Sequence, residues 1–492
     1  MICVSIGRSR HRHMIAEHEH LASQGAELVE LRLDFIKGDI HFKELLDKRP
    51  GPVIATCRRE QDGGKYSGSE ETRQSILRMA VAQGVDYIDL EEDVASTVPR
   101  YGKTKRIVSL HDFRKTPENL KDIHKRMSQH DADIIKIATM ANVPHDNIRM
   151  LELIKTSKTP TVGICMGEMG APSRLLAGRF GAPFTYATFH AERALAPGQI
   201  SFDQMRNVYH YDTINADTAV YAVIADPVAH SQSPLVHNAA LQHLRINAVY
   251  IPIRVSPEHL QPFLDDAPQM GISGLSVTIP HKEAAAHALK QVDRSIVDIG
   301  AANTIVYSDL GMMGYNTDCP AAIESLQSHL PDREDYLASK TVIVLGAGGV
   351  AKAVAYSLIQ RDADVVVTSR TEERASALAE QLGCRTLPWK SRHGVDCSVL
   401  INCTPVGMHP NMDETPFDRH YLKPSMTVFD TVYNPENTLL IKDARRQGCD
   451  TVTGTEMFVR QAALQFHLFT GQQAPEALMA ETLRKAVGAV NI

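Results

Sequence analysis

A chain of 492 residues, 43% of them hydrophobic and 22% charged, has the balance of a soluble globular protein and the length of about three ordinary domains. A formal net charge of −6 with no long basic run weighs against a nucleic-acid-binding protein, and no apolar run reaches membrane-spanning length. The eight cysteines (Cys3, Cys57, Cys165, Cys319, Cys384, Cys397, Cys403 and Cys449) are scattered without a C-x-x-C pair, the usage of a reducing compartment rather than of a disulfide framework or a zinc site.

The opening residues, MICVSIG, read as a strand, so no signal or transit segment is expected ahead of the fold and the expected compartment is the cytoplasm. His11, His13, His18 and His20 follow in a polar helical stretch. With no cysteine among them and no H-E-x-x-H order they read as a solvated first helix, and no metal site is expected. From here to about residue 210 one unit repeats, a short apolar strand and then a helical pattern, with strands expected to begin at Ile2, Glu27, Val53, Tyr87, Arg106, Asp133, Thr161 and Phe184. That count predicts a parallel (β/α)8 barrel over 1–210, an α/β fold that places its chemistry at the carboxyl ends of its strands. Polar residues stand at those ends: Glu30 and Arg32 on the second strand, Arg58 after the third, His111 on the fifth and Lys136 within DIIKIA on the sixth, with Met166 ending the seventh.

An ammonium in the middle of an apolar strand is costly, and burial favours the neutral amine, which can attack a ketone to form an imine. A lysine paired with a barrel carboxylate such as Glu30 fits the same residues. His111 on the preceding strand favours the chemical reading, because a protonated imine makes an adjacent C–H acidic and a nearby imidazole can take that proton. Lysine and histidine on neighbouring strand ends describe imine-assisted elimination or aldol chemistry.

HYDTINADTA (210–219) separates the barrel from a fresh strand, Val220 to Ile224, and 211–218 is taken as the linker. The pattern beyond is again α/β: one unit over 219–320, a dinucleotide-binding unit over 321–455, and a helical tail over 456–492 expected to return to the first lobe. The first lobe gathers polar clusters, S-Q-S-P at 231–234, S-V-T-I-P-H-K at 276–282, A-A-N-T at 301–304 and Y-N-T-D at 315–318. Lys282 and Asp318 close two of them and are expected on loops or element ends, where site residues gather. In the next unit an apolar strand, Thr341 to Leu345, runs into Gly346, Ala347, Gly348, Gly349, Val350 and Ala351, the G-x-G-x-x-A pattern that lets backbone N–H groups approach a pyrophosphate at a helix N-terminus. The strand Asp364 to Thr368 ends not in an acid but in Ser369, Arg370 and Thr371, with Arg374 one turn on. Arginines and small hydroxyls suit a ribose 2′-phosphate, so the expected cofactor is NADP(H).

E-L-R-L-D at 30–34, S-L-H-D-F-R-K-T-P at 109–117, D-I-I-K-I-A at 133–138, S-R-L at 173–175 and A-P-G-Q at 196–199 together resemble type I 3-dehydroquinate dehydratase over nearly all of the first half. The resemblance implies that Lys136 forms the Schiff base while His111 moves the proton and assists loss of the hydroxyl as water. It further implies that Glu30, Arg32, Arg58, Arg174 and Gln199 hold the substrate's hydroxyls and carboxylate, with Met166 lining the pocket. Two positions depart from the family pattern: the glutamate that orients the histidine falls on Asp62, one methylene shorter, and the serine preceding A-P-G-Q is Leu195.

Y-A-V-I-A-D-P-V-A-H-S-x-S-P, V-T-I-P-H-K, A-x-N-T, N-T-D, G-A-G-G-V, S-R-T-x-x-R and the late V-x-Q-A resemble shikimate dehydrogenase over essentially the whole second half, with Ser369 where asparagine is common. This resemblance implies a two-lobed unit with an acid/base pair of Lys282 and Asp318, with Ser231, Ser233 and Tyr433 on the substrate carboxylate and Thr278, Asn303 and Gln461 on ring hydroxyls. Together the halves imply dehydration of 3-dehydroquinate to 3-dehydroshikimate and NADPH-dependent reduction to shikimate, with small molecules as the only partners. Preference of the second half for quinate, and a barrel retained as a non-catalytic scaffold, are the competing readings.

Overall fold

Strand alternation dictates the first sheet of the computed structural model, which describes residues 1–331 and 335–489. Residues 332–334, within the expected dinucleotide unit, and 490–492, at the end of the expected tail, lie outside the described residues. The chain divides into two compact units, one carrying Met1–Val220, Pro227–Ala229 and Asn247–Ile272, the other Tyr221–Asp226, His230–Ile246 and the residues from Ser273 onward.

In the first unit β1 (Ile2–Ile6), β2 (Leu28–Arg32), β3 (Val53–Thr56), β4 (Tyr87–Glu91), β5 (Lys105–Asp112), β6 (Ile134–Met140), β7 (Thr161–Met166) and β8 (Thr185–Thr188) each start within one residue of the expected position. They join in the order β7-β6-β5-β4-β3-β2-β1-β8, a nearly closed parallel barrel whose ladder ends at β7 and β8. Alternate residues share one face. At the amino ends of the strands that face is apolar, a core of Leu28, Ile54, Ile107, Ile134, Val162 and Phe184. Two and four residues further along, the same parity brings Glu30 and Arg32, Thr56 and Arg58, Asp89 and Glu91, Ser109 and His111, and Lys136. The register sets Glu91 beside Ser109 and Ser109 beside Lys136. The apolar layer thus forms a floor under a buried layer of charge.

The first helix, His11–Ser23, leaves His13 and His20 exposed as expected and corrects the solvated reading at His18 alone. Met14, His18 and Leu21 form its buried face, at the spacing of one helical stripe. Burial and the charge of Arg49 push the His18 imidazole down to about 4. The expected linker is ordered, with Tyr211 and Thr218 both buried.

Six further strands, β9 (Ala219–Ala225), β10 (Ala248–Arg254), β11 (Ile272–Val277), β12 (Gln291–Val292), β13 (Thr304–Ser308) and β14 (Gly311–Tyr315), form a sheet in the order β10-β9-β11-β13-β14-β12. β13 runs antiparallel to both neighbours, the interruption of the α/β pattern. The last sheet is built from β15 (Thr341–Leu345), β16 (Asp364–Thr368), β17 (Arg385–Thr386), β18 (Val399–Asn402), β19 (Thr427–Asp430) and β20 (Asp450–Val452). Its order, β17-β16-β15-β18-β19-β20 with every ladder parallel, is that of a doubly wound dinucleotide fold, with the switch point beside β15. Helices Gly454–Thr470 and Glu476–Ala489 form the tail. A capping box of Thr453 and Glu456 starts the first of them at Gly454, two residues before the expected start of the tail at 456. The second packs on helix Ser233–His243, as the returning tail predicts.

Candidate active sites

The buried charged layer of the barrel surrounds a cavity of about 60 Å³ lined by Glu30, Arg32, Arg58, Asp62, His111, Lys136, Met166, Arg174 and Gln199. All nine barrel residues singled out from sequence therefore meet at one place. Lys136 is 5% exposed. Its Nζ lies 3.0 Å from Asp89 Oδ2 and 3.5 Å from Glu30 Oε1, and 4.1 Å from the centroid of the Tyr186 ring. The pairing reading of the lysine thus holds, with Asp89 nearer than the expected Glu30. Burial works to raise both carboxyls, yet Arg58 and Lys136 hold Asp89 well below the usual carboxylate range, and Lys136 and Arg32 hold Glu30 below it. The lysine therefore stands between two ionised groups. Burial, reinforced by the positive charges of Arg58 and Lys136, drives the His111 imidazole well below its ordinary value, so it is neutral and fit to accept a proton.

The three guanidinium groups at the cavity differ in what they already hold. Arg32 forms a fork on Asp34 at 2.9 and 2.8 Å. Arg58 bonds Asp89 at 2.8 Å and Glu91 at 3.0 Å. Arg174 is 2% exposed, has a buried Nε without a partner and, among the described residues, no carboxylate beside it. Burial pulls it down to about 10, the signature of a cation lacking its anion. Of the three, Arg174 is the one that faces the cavity with no carboxylate partner. Gln199 Oε1 accepts from the Leu195 backbone N–H at 2.7 Å, which leaves the amide NH₂ to donate into the cavity.

One expected role is corrected. The Asp62 carboxylate takes Arg59 at 2.6 Å, and His111 Nδ1 is buried with no hydrogen-bond partner, so Asp62 does not orient the histidine. The loop carrying it turns through Gly63 at φ +77°, where any Cβ would strike the Phe113 ring at 2.3 Å. Phe113 in turn stacks on His111, ring centroids 6.3 Å apart. Packing, not the shortened acid, holds the imidazole plane. Sequence reasoning missed Asp89, Glu91, Tyr186 and the fully buried Arg73, whose NH1 bonds Glu91 at 2.7 Å. Acids two apart on β4, in phase with Glu30 and Arg32, were the available signal for the first pair.

In the second unit Lys282 and Asp318 open helices Lys282–Ala288 and Asp318–Gln327, at element ends as expected, and meet at 2.6 Å. Asn316 Oδ1 accepts from the Asp318 backbone N–H at 3.1 Å. Asn303, 1% exposed, donates to Thr317 Oγ1 at 2.9 Å and accepts from the Thr317 N–H at 2.8 Å, so it braces the turn that carries Asp318. Thr278 is wired to the same end of the lobe, its carbonyl accepting from His281 N–H at 2.8 Å. Ser233 N–H donates to Ser231 Oγ at 3.3 Å, and the Tyr433 hydroxyl bonds the intervening Gln232 backbone. Tyr433 packs on Phe458, whose carbonyl receives the Gln461 amide at 3.0 Å. Gln465, missed from sequence, accepts from Ser276 at 2.7 Å and donates to the Asn303 carbonyl at 3.1 Å. A separate hollow of about 240 Å³, which includes Glu456, Arg460 and Arg484, holds none of these residues.

The glycine loop after β15 has the shape a dinucleotide requires. Gly346 adopts φ +118°, and a Cβ there would meet the Cys403 carbonyl at 3.0 Å. A Cβ at Gly348 would meet nothing within 4 Å, so the N-terminus of helix Gly349–Ile359 is open, and Ala351 is buried beneath it. A Cβ at Gly349 would touch Lys282 Cδ at 3.1 Å, which sets the loop beside the proposed proton donor. Past β16, Ser369 Oγ accepts from Thr371 N–H at 3.3 Å, while Arg370 and Arg374 hold no partner among the described residues. Thr368 Oγ1 is buried without a partner at the root of this tip. These residues fit a dinucleotide bearing an extra phosphate. Among the described residues no helix is long and apolar enough to cross a membrane.

Comparison with known proteins adds independent findings. Residues 2–216 match the family model for type I 3-dehydroquinase. Residues 223–305, 329–394 and 454–484 match models for the shikimate dehydrogenase substrate binding domain, shikimate/quinate 5-dehydrogenase and the shikimate 5′-dehydrogenase C-terminal domain. The chloroplastic bifunctional 3-dehydroquinate dehydratase/shikimate dehydrogenase of Arabidopsis thaliana is 40% identical over 99% of this chain and 84% of its own length. Among solved structures, shikimate 5-dehydrogenase from Thermus thermophilus in complex with NADP(H) and shikimate aligns with TM-score 0.50 and 33% identity over 55% of this chain and 99% of that one. Quinate dehydrogenase from Corynebacterium glutamicum in complex with NAD aligns with TM-score 0.51 and 32% identity over 55% and 99%.

Proposed function

This chain belongs to the family of bifunctional 3-dehydroquinate dehydratase/shikimate dehydrogenases, and from that premise we propose that its barrel dehydrates 3-dehydroquinate through an imine at Lys136 and its second unit reduces the product to shikimate at Lys282 and Asp318. The functional division follows 1–210 and 219–492, joined by 211–218. The observation that carries the reading is the barrel cavity, where a buried amine, a neutral imidazole and an unpaired guanidinium face one space.

Arg174 takes the substrate carboxylate, and Glu30 and Gln199 hold hydroxyls. The Lys136 nitrogen, which enters as the ammonium, bonds to the ketone carbon, the carbonyl oxygen leaves with two of the nitrogen's protons as water, and the third proton stays on the nitrogen. The resulting iminium draws electrons from the neighbouring carbon, so His111 removes a proton there and returns it to the departing hydroxyl as the double bond forms, after which water breaks the N=C bond to release 3-dehydroshikimate and the Lys136 ammonium. Reduction with borohydride in the presence of 3-dehydroquinate is expected to fix the ring to Lys136, seen as a mass increase on the peptide carrying that residue. An unmodified Lys136 would overturn the imine reading and favour the scaffold.

In the second unit NADPH supplies a hydride. Its pyrophosphate suits the N–H groups over 346–351, and its 2′-phosphate suits Ser369, Arg370, Thr371 and Arg374. Lys282 delivers a proton to the carbonyl oxygen of 3-dehydroshikimate, with Asp318 fixing the ammonium. Ser231 and Ser233 beside Tyr433 hold the carboxylate, Thr278, Asn303 and Gln461 serve the ring hydroxyls, and that serine pair supports shikimate over quinate. The eight free cysteines support a cytoplasmic setting. Replacing both Arg370 and Arg374 by alanine is expected to raise KM for NADPH about 100-fold, two charge-assisted bonds at roughly tenfold each, while KM for NADH barely moves. Equal effects on the two cofactors would remove the 2′-phosphate assignment.

A further inference from the structure

Within the barrel, charges alternate from the cavity outward: Lys136, Asp89, Arg58, Glu91, Arg73 and Glu70, each pair within 3.0 Å. Asp89 is the rung next to the reactive nitrogen. It is 1% exposed and absent from the lining of the cavity, so it stands behind the lysine and meets no substrate. Its Oδ1 is fixed by Arg58 at 2.8 Å and by the Ser109 hydroxyl at 2.6 Å, which leaves Oδ2 to the lysine alone. Glu30, the other acid near Lys136, is differently placed. It is farther, at 3.5 Å, it lines the cavity, and its oxygens already accept from Ser5 at 2.6 Å and Thr56 at 2.9 Å.

We infer that Asp89 is a positioning residue whose carboxylate serves as the counter-ion of the protonated imine formed at Lys136. The inference rests on the imine reading and extends it. When an ammonium R–NH₃⁺ condenses with a ketone, the N=C bond forms, the C=O bond breaks, and the oxygen departs with two of the nitrogen's protons as water. One proton and the positive charge stay on the nitrogen. The electron sink works only while that proton remains, and in a buried site the charge requires an anion beside it. Asp89 Oδ2 is that anion before and after condensation, because the nitrogen keeps its place and Arg58 and Ser109 prevent the carboxylate from following the substrate. The other ionisable groups facing this pair are Cys3, Glu30, Arg58, His111 and Tyr186, with Arg32 and Glu91 behind them.

The test measures how Asp89→Asn alters the pH dependence of dehydration and of trapping by cyanoborohydride, which reduces protonated imines. The alkaline limb of kcat is expected to move down by about 2 pH units, the effect of removing an opposite charge at contact distance. Trapping at pH 9 relative to pH 7 is expected to fall with it, and Asp89→Glu to restore much of both. Circular dichroism and a thermal melt of the barrel's transition report whether the barrel is folded, and NADPH-dependent reduction of added 3-dehydroshikimate reports the second unit. If Asp89→Asn does not fold, Ser109→Ala, which removes one of the two groups holding Oδ1 and leaves Arg58 as the other, is expected to move the limb in the same direction by a smaller amount. A kcat reduced equally at every pH with the limb in place, or an unmoved limb in the Ser109 variant, overturns the counter-ion role. Absence of any adduct in the unaltered chain is a different outcome, since it removes the imine itself.

Discussion

Lys136→Ala abolishes dehydration of 3-dehydroquinate, by a factor of about 10⁴ or more, because no other group in the cavity can form the covalent intermediate. The same variant reduces added 3-dehydroshikimate with NADPH at close to the unaltered rate, since the reducing machinery is built from other strands and helices. The cost to the barrel is moderate. Removing one ion of a buried pair costs about 3–5 kcal/mol when the partner is left bare, but Asp89 keeps Arg58 and Ser109, and Glu30 keeps Ser5 and Thr56. A folded variant that makes no dehydroshikimate but consumes it is therefore the expected result, read by assaying the two steps separately. Substantial dehydration by Lys136→Ala would place the chemistry elsewhere.

Lys282→Ala has the converse phenotype. A positioned proton donor contributes about 10²- to 10⁴-fold, so reduction falls into that range while dehydration is unaffected. The 2.6 Å contact makes Asp318 part of the same device, and Asp318→Asn is expected to cost nearly as much as Lys282→Ala, with the double variant little worse than either single one. Full additivity of the two losses would show that the residues act apart. Because a Cβ at Gly349 would lie 3.1 Å from Lys282 Cδ, closer than ordinary van der Waals contact, Gly349→Ala is expected to push the Lys282 side chain aside and disturb proton delivery as well as cofactor binding.

Both folds were legible in the sequence, for a physical reason. Parallel strands read as short apolar runs bounded by turn residues, and the eight barrel strands did so unambiguously enough to be placed within one residue. The residues at strand ends were legible because a lysine or histidine at an otherwise apolar position demands an account. What was not legible was who pairs with whom. Asp89 looked like any strand acid, and only the register of β4 against β5, and of β5 against β6, brings it under Lys136. The resemblance gave Arg58 a place on the substrate, and Arg58 does line the cavity, but its ion pairs with Asp89 and Glu91, and the lack of any carboxylate beside Arg174, were not legible. Asp62 failed for a related reason: the proximity implied by a motif says nothing of competition, and Arg59, three residues away, captures the carboxylate. His18 was misjudged because helical phase, not local polarity, decides which side of a helix is covered.

The row of alternating charge that runs from Lys136 to Glu70 also constrains how such a barrel can vary over time. Exchange of a single rung for a neutral side chain leaves each neighbour with one partner fewer and the buried row with one charge in excess, whereas removing two adjoining rungs of opposite sign keeps the row balanced. Drift at Asp89, Arg58, Glu91 and Arg73 is therefore least costly in pairs of opposite sign, with each strand waiting on the next.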